Sequence, residues 1–261
     1  MHEILRALSV PSFVLDLGCA TGSFPPDATN ARVVCLDLAA PPGRRGTHHF
    51  VQGDGAALPF RSGQFAAAFA NHSLEHVEQL DTVLREVCRV LRPDGALYVA
   101  VPDVRTSTDR VYRWLARGGG HVNAFTSARA LAAQIERETG LPHVATRVLC
   151  SSLSFLNRKN APQPRRALLI GGGHQGALFL YTWLSRRLDR FLGTRSSVYG
   201  WALYFGNVPG PVGTDTWLNV CIGCGAGHSS LSLRQQNNVP SRMGDAAVSM
   251  SGLPDHQSLR R

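Results

Sequence analysis

The run Val14-Leu15-Asp16-Leu17-Gly18-Cys19-Ala20-Thr21-Gly22 carries the strongest chemical signal in this chain. Apolar residues and an acid lead straight into a turn whose glycines permit left-handed backbone and let main-chain N–H groups come close to a ligand. A second apolar run, Val33-Val34-Cys35-Leu36, ends in Asp37, nineteen residues after Gly18. An acid at that distance suits the ribose hydroxyls of a nucleotide held at the glycine turn. Three more groups fall where further strands would end: Gly53-Asp54-Gly55, Asn71-His72 and Pro102-Asp103. Beyond them, Glu75, His76 and His121 are side chains able to take a proton from a substrate as general bases. Each has a plainer use as well. Glu75 can cap the following helix, His76 can pack beneath it, and His121 can anchor its loop behind Gly118-Gly119-Gly120. Tyr112, Trp114, Tyr199 and Trp201 serve equally as an aromatic acceptor wall or as core.

These groups need a scaffold of alternating strands and helices, and the patterning supplies one. Strands are expected at 12–17, 32–37, 49–52, 65–70 and 96–101. The clearest helix covers 80–91, with Leu80, Val83, Leu84, Val87, Val90 and Leu91 on one stripe. It ends at the turn Arg92-Pro93-Asp94-Gly95. The Pro25-Pro26 pair leaves room for one or two helical turns before the second strand. A helix begun by Thr126 or Ser127 is expected to 138, and strands at 143–149, 199–205 and 217–222. Alternating β and α units imply a parallel sheet covered on both faces.

Five blocks in order, VLDLGCATG, CLD, GDGAALPF, FAAAFANHSLEHV and LREVCRVLRPDGALYVAVP, resemble the class I S-adenosylmethionine-dependent methyltransferases. The nearest group is the small-molecule, methyltransferase type 11-like set. The likeness covers residues 12–103 and, more loosely, 120–126. It implies a Rossmann-like, doubly wound, mainly parallel sheet with an antiparallel last strand in a three-layer α/β/α sandwich. S-adenosylmethionine is the implied cofactor. Asp16 would support the turn and orient the methionine amino group, while Gly18, Cys19 and Gly22 admit the backbone to the cofactor. Asp37, with Leu38 beside it, would accept from both ribose hydroxyls. Asp54 would take the adenine amino group, with Gly55 and Ala56 next to it. Asn71 and His72 would lie under the sulfonium. Two departures stand out: Ala20 replaces a frequent central glycine, and the proline pair shortens the first helix. A nicotinamide-type fingerprint, G-x-G-x-x-G opening a full helix, fails here at its second glycine. The later run Gly171-Gly172-Gly173-His174-Gln175-Gly176 lacks G-K-[ST] and reads as a linker.

The organisation follows: a methyltransferase core over 1–150, a basic insert with an amphipathic helix over 151–197, strands completing the sheet over 198–227, and a polar, aperiodic tail over 228–261 expected to be disordered. The 261 residues carry a net charge of +9, with Lys159 the only lysine. From Arg158 to Arg190 seven basic residues face one acid, Asp189. Such a patch suits an anionic small-molecule acceptor, an anionic membrane surface or RNA. An RNA methyltransferase acting on base amino groups would want an [DN]-P-P-[YFW]-like motif where this chain reads Asn71-His72-Ser73-Leu74, so nucleic acid is disfavoured. A non-catalytic binding protein on the same fold is disfavoured by the intact Asp16, Asp37 and Asp54. Cys221, Cys224 and His228 have partial zinc spacing, but only Cys150 offers a distant fourth ligand, and a glycine turn explains them, so no metal is assigned. No run approaches the apolar length of a membrane span, and the first residues do not read as a signal peptide, so a cytoplasmic enzyme is expected. The expected reaction is methyl transfer to oxygen, nitrogen or carbon of a small biosynthetic intermediate.

Overall fold

The computed structural model describes residues 1–8, 11–20, 22–24, 26–40, 49–115, 120–150, 183–184, 187–193 and 198–210. In chain order the elements are α1 (His2–Ala7), β1 (Phe13–Leu17), β2 (Arg32–Asp37), β3 (His49–Gln52), β4 (Phe65–Asn71), α2 (Leu80–Val90), β5 (Leu91–Pro102), α3 (Ser107–Leu115), α4 (Ala128–Thr139), β6 (His143–Cys150) and β7 (Val198–Gly206). Short 3-10 turns cover Pro26–Ala28 and Leu74–His76.

The strands form one seven-stranded sheet in the order β3-β2-β1-β4-β5-β7-β6. β1 pairs in parallel with β2 on one side and β4 on the other, and the parallel run continues to β3 and β5. The chain therefore reverses its direction of travel across the sheet between β1 and β4, the switch point where doubly wound sheets open a crevice. β7 enters antiparallel between β5 and β6, so the mainly parallel sheet with an antiparallel last strand is what the chain builds.

Alternation along β1 shows why both faces must be covered. Leu15 and Leu17 join α2 and α4 in one core cluster, whereas Val14 joins Ile4 and Leu5 of α1 in the other. On α2, Leu80, Val83, Leu84, Val87 and Val90 are all buried, each contributing about 1.5–3 kcal/mol of burial. Ser127 caps α4, its hydroxyl accepting from the Ala130 N–H at 3.3 Å. On the α1 face, Arg147 of β6 pairs with Glu3 at 2.8 Å and lies over the Tyr204 ring.

Several expectations shift. The 92–95 turn sits inside β5 rather than before it: Phe65 faces Leu91 but Ala67 faces Ala96, so the Pro-Asp-Gly residues bulge out of an otherwise continuous pairing. Helices α1 and α3 were not anticipated, α1 being short and α3 carrying polar residues through most of its length. Gly200 explains how β7 can lie so close to β5, since a Cβ there would meet the Val101 carbonyl oxygen. The strand expected at 217–222, the glycine run at 171–176 and the tail lie outside the described residues. Of the insert, residues 183–184 and 187–192 are helical, with Leu188 and Phe191 exposed. Among the described residues no helix is long and apolar enough to cross a membrane.

Candidate active site

The carboxyl ends of β1, β2 and β4 open onto a cleft of about 490 Å3, within the usual range for small-molecule sites. Its first wall is the turn after β1. The Gly18 and Cys19 N–H groups donate to the Leu36 carbonyl at 2.8 and 3.2 Å, tying the turn to the end of β2. Gly18 has φ +65°, and a Cβ at that position would sit 2.4 Å from the Ser73 Cβ, so only glycine lets the β1 and β4 ends meet here. Beneath the turn, buried Asp16 accepts from the Ser23 N–H at 2.9 Å and the Ser23 hydroxyl at 2.6 Å. Ala20 adopts left-handed φ (45°) and its N–H donates to Asp37 Oδ2 at 2.8 Å.

Asp37, Leu38, Asp54, Gly55 and Ala56 line the same end of the cleft. Asp54 holds its own turn, Oδ1 accepting from the Ala56 N–H at 2.9 Å. His72 lines the floor in a left-handed conformation (φ 55°), a costly state for a non-glycine residue and one that gathers at functional sites. Asp16, Cys19, Gly22 and Asn71 are not among the lining residues. Asp16 acts from below, through Ser23.

The opposite end gathers the groups that could handle an acceptor. The 3-10 turn Leu74–His76 follows β4 directly, and the 120–125 segment is stapled onto it. The Val122 and Asn123 N–H groups donate to the Glu75 carbonyl at 2.7 and 3.0 Å, and the Asn123 amide donates to the Leu74 and Val77 carbonyls at 2.9 and 2.6 Å. This brings His121, forty-five residues after His76 in the chain, against it: their rings stand edge to face 4.9 Å apart. Glu75 is 1% exposed and approaches His72 Nδ1 at 3.5 Å. Burial opposes its ionisation, yet the His72 and His76 imidazoles beside it hold its carboxyl below the ordinary carboxylate range. His121 is buried between Tyr112 and His76, and desolvation pushes it down to about 4. Its ring is therefore neutral at pH 7.

The sequence-level alternatives resolve in part. Glu75 does not cap α2, whose N-cap residue is Gln79. His76 is exposed, with Nδ1 3.0 Å from the Gly120 carbonyl. Of the four aromatics, Tyr112 and Tyr199 line the cleft, whereas Trp114 is largely exposed and Trp201 lies in the core. Asp103 is spent on structure, its carboxylate accepting from the Arg105 N–H and guanidinium at the start of α3. Sequence reasoning missed Asp109, which pairs with Arg113 at 2.8 Å and stands 3.8 Å from His121. Its i, i+4 spacing to Arg113 was the available signal. Cys221, Cys224 and His228 lie outside the described residues.

Residues 15–99 match the family described as methyltransferase domain. Over 142 residues the chain is 32% identical to a malonyl-[acyl-carrier protein] O-methyltransferase of Methylococcus capsulatus, covering 49% of this chain and 51% of that one. It is 37% identical over 94 residues to a demethylmenaquinone methyltransferase of Beutenbergia cavernae, covering 33% and 39%. The chain thus spans about half the length, or less, of these curated relatives. The fold is shared with the crystal structure of a SAM-dependent methyltransferase from Archaeoglobus fulgidus, at TM-score 0.51 and 11% identity over 78% of this chain and 88% of that one. Residues 15–99 are thus similar to the methyltransferase domain, and the shared fold together with the S-adenosylmethionine-dependent methyltransferase of known structure makes S-adenosylmethionine the cofactor to test against the cleft. The cleft fits that group chemically: a glycine turn whose side-chain-free face admits a ligand, and two acids, Asp37 and Asp54, at the same end.

Proposed function

We propose that this chain transfers a methyl group from S-adenosylmethionine to an oxygen, nitrogen or carbon nucleophile on a small biosynthetic intermediate, free or carrier-bound. The observation that carries the reading is the two-ended cleft. Asp37 and Asp54 line one end, and Glu75, His72, His121, Tyr112 and Tyr199 line the other. The cofactor supplies an activated methyl group when bound. The first end would hold it, with Asp37 placed to accept from the ribose hydroxyls and Asp54 from the adenine amino group. Gly18 and Ala20, in the turn held from below by Asp16, would offer their backbone, with His72 on the floor between the two ends.

The second end belongs to the acceptor. Because methyl transfer needs little more than a nucleophile held in line at close range, positioning supplies much of the rate. Tyr112 and Tyr199 form the wall of the acceptor pocket and exclude water. Where the acceptor must lose a proton, the neutral His121 ring or the Glu75 carboxylate takes it. The identities to a malonyl-[acyl-carrier protein] O-methyltransferase and a demethylmenaquinone methyltransferase support a non-nucleic-acid acceptor.

Calorimetry with S-adenosylmethionine tests this reading. One cofactor per chain is expected to bind the wild type, and Asp37→Ala to bind at least tenfold more weakly, since a charge-assisted hydrogen bond is worth about 1.5–3 kcal/mol. No binding to the wild type, or undiminished affinity in Asp37→Ala, would overturn it.

A further inference from the structure

We propose that Glu75, His76 and His121 form a site for one divalent first-row transition-metal ion at the acceptor end of the cleft. Each residue offers one ligand atom, and these atoms lie within 4.8 Å of one another. Metal bonds of about 2.0–2.2 Å put neighbouring ligand atoms about 3 Å apart, so small side-chain rotations close the set around an ion. Two imidazoles and one carboxylate with open positions remaining are a donor set for iron, manganese, cobalt or zinc rather than for magnesium or calcium.

Three further observations point to a cation. First, Glu75 is 1% exposed, and its Oε2 has no hydrogen-bond partner. A buried carboxylate oxygen left bare is costly unless something positive meets it. Second, the Asp109 carboxylate stands 3.8 Å from His121 Nδ1, the side on which a histidine ligating through Nε2 would find its outer support. Third, His76 Nδ1 lies 3.0 Å from the Gly120 carbonyl. A carbonyl only accepts, so Nδ1 carries the proton and Nε2 keeps the lone pair that a metal requires. Backbone carbonyls and carboxylates behind ligating histidines are the usual outer support of such ions.

The site also faces the right way. All three residues line the cleft together with Tyr112 and Tyr199, so the ion's open positions point into the volume left for an acceptor. A hydroxyl, enolate or carboxylate oxygen there would complete the coordination, which selects an oxygen-bearing acceptor, and the ion, in place of a free His121 or Glu75 as base, would lower that oxygen's proton affinity. What the ion would hold rests on the reading of this cleft as a methyl-transfer site. That it binds rests only on the three side chains.

The test uses the full chain and Co2+ alone, followed by calorimetry and by the visible absorption of cobalt. Saturable binding of one Co2+ per chain is expected, weakened at least tenfold in both His76→Ala and Glu75→Gln. His76 is exposed, so its truncation leaves the core intact, and Glu75→Gln preserves side-chain shape. S-adenosylmethionine affinity measured on the same samples separates the two readings: wild type that binds cobalt but not the cofactor overturns the proposed function and keeps the metal site. No one-to-one cobalt binding overturns the site. So does cobalt binding that survives both substitutions, because the ion then sits elsewhere in the chain.

Discussion

The Ala20 N–H donates to the Asp37 carboxylate at 2.8 Å, closing the turn after β1 onto the acid that ends β2. One carboxylate therefore serves the protein's own turn and remains at the rim of the cleft. Asp37→Asn separates these uses. The amide oxygen still accepts from Ala20, so the melting temperature should stay within a degree or two of wild type. Loss of the charge should weaken S-adenosylmethionine binding about tenfold, less than full truncation does. Differential scanning fluorimetry and calorimetry on one sample check both halves.

Gly18→Ala should be far more damaging than its size suggests. The new methyl would lie 2.4 Å from the Ser73 Cβ, and φ is +65°. The left-handed conformation alone costs about 1–2 kcal/mol for a residue with a Cβ, and the clash adds to it. Adding Ser73→Gly should restore the steric part and leave the conformational part, a coupling that chemical denaturation of the single and double variants measures. Equal stability of Gly18→Ala and wild type would show that the β1 and β4 ends are not packed as described.

Asn123→Ala removes both side-chain hydrogen bonds that staple the 120–125 segment to the Leu74–His76 turn. Two lost hydrogen bonds predict a loss of about 1–3 kcal/mol in unfolding free energy. The sharper consequence concerns His121, which reaches Glu75 and His76 only because that segment is held down. Cobalt affinity should fall although no ligand has been touched, while S-adenosylmethionine affinity should hardly change.

Arg147→Met leaves Glu3 of α1 without its partner in β6. Because Glu3 is partly exposed, the cost should be below that of a fully buried pair, about 2–3 kcal/mol. The double variant Glu3→Gln with Arg147→Met should recover most of it. Thermal melts of the three variants decide this, and neither cofactor nor cobalt affinity should respond.

Much of this architecture was legible from local pattern. The alternation of Val14-Leu15 and Val33-Val34, the stripe on 80–90 and the Ser127 cap are short-range signals, set by side-chain period and turn chemistry. They were enough for the doubly wound sheet and for one end of the cleft, where Asp37 and Asp54 stand with Gly18. That end is built from strand tips that follow one another closely in the chain, so Asp37 and Asp54 arrive beside Gly18 as soon as the strands pair in parallel. The other end, with Glu75, His76 and His121, could not be read the same way. His121 meets Glu75 and His76 through backbone hydrogen bonds to residues far away in sequence, and no periodicity encodes those. Which aromatics face the cleft was equally a matter of packing: Tyr199 and Trp201 sit two residues apart on one strand, yet Tyr199 lines the cleft while Trp201 is absorbed into the core. Residue types named the candidate groups. Only the long-range docking of 120–125 and β7 decided which of them share a site.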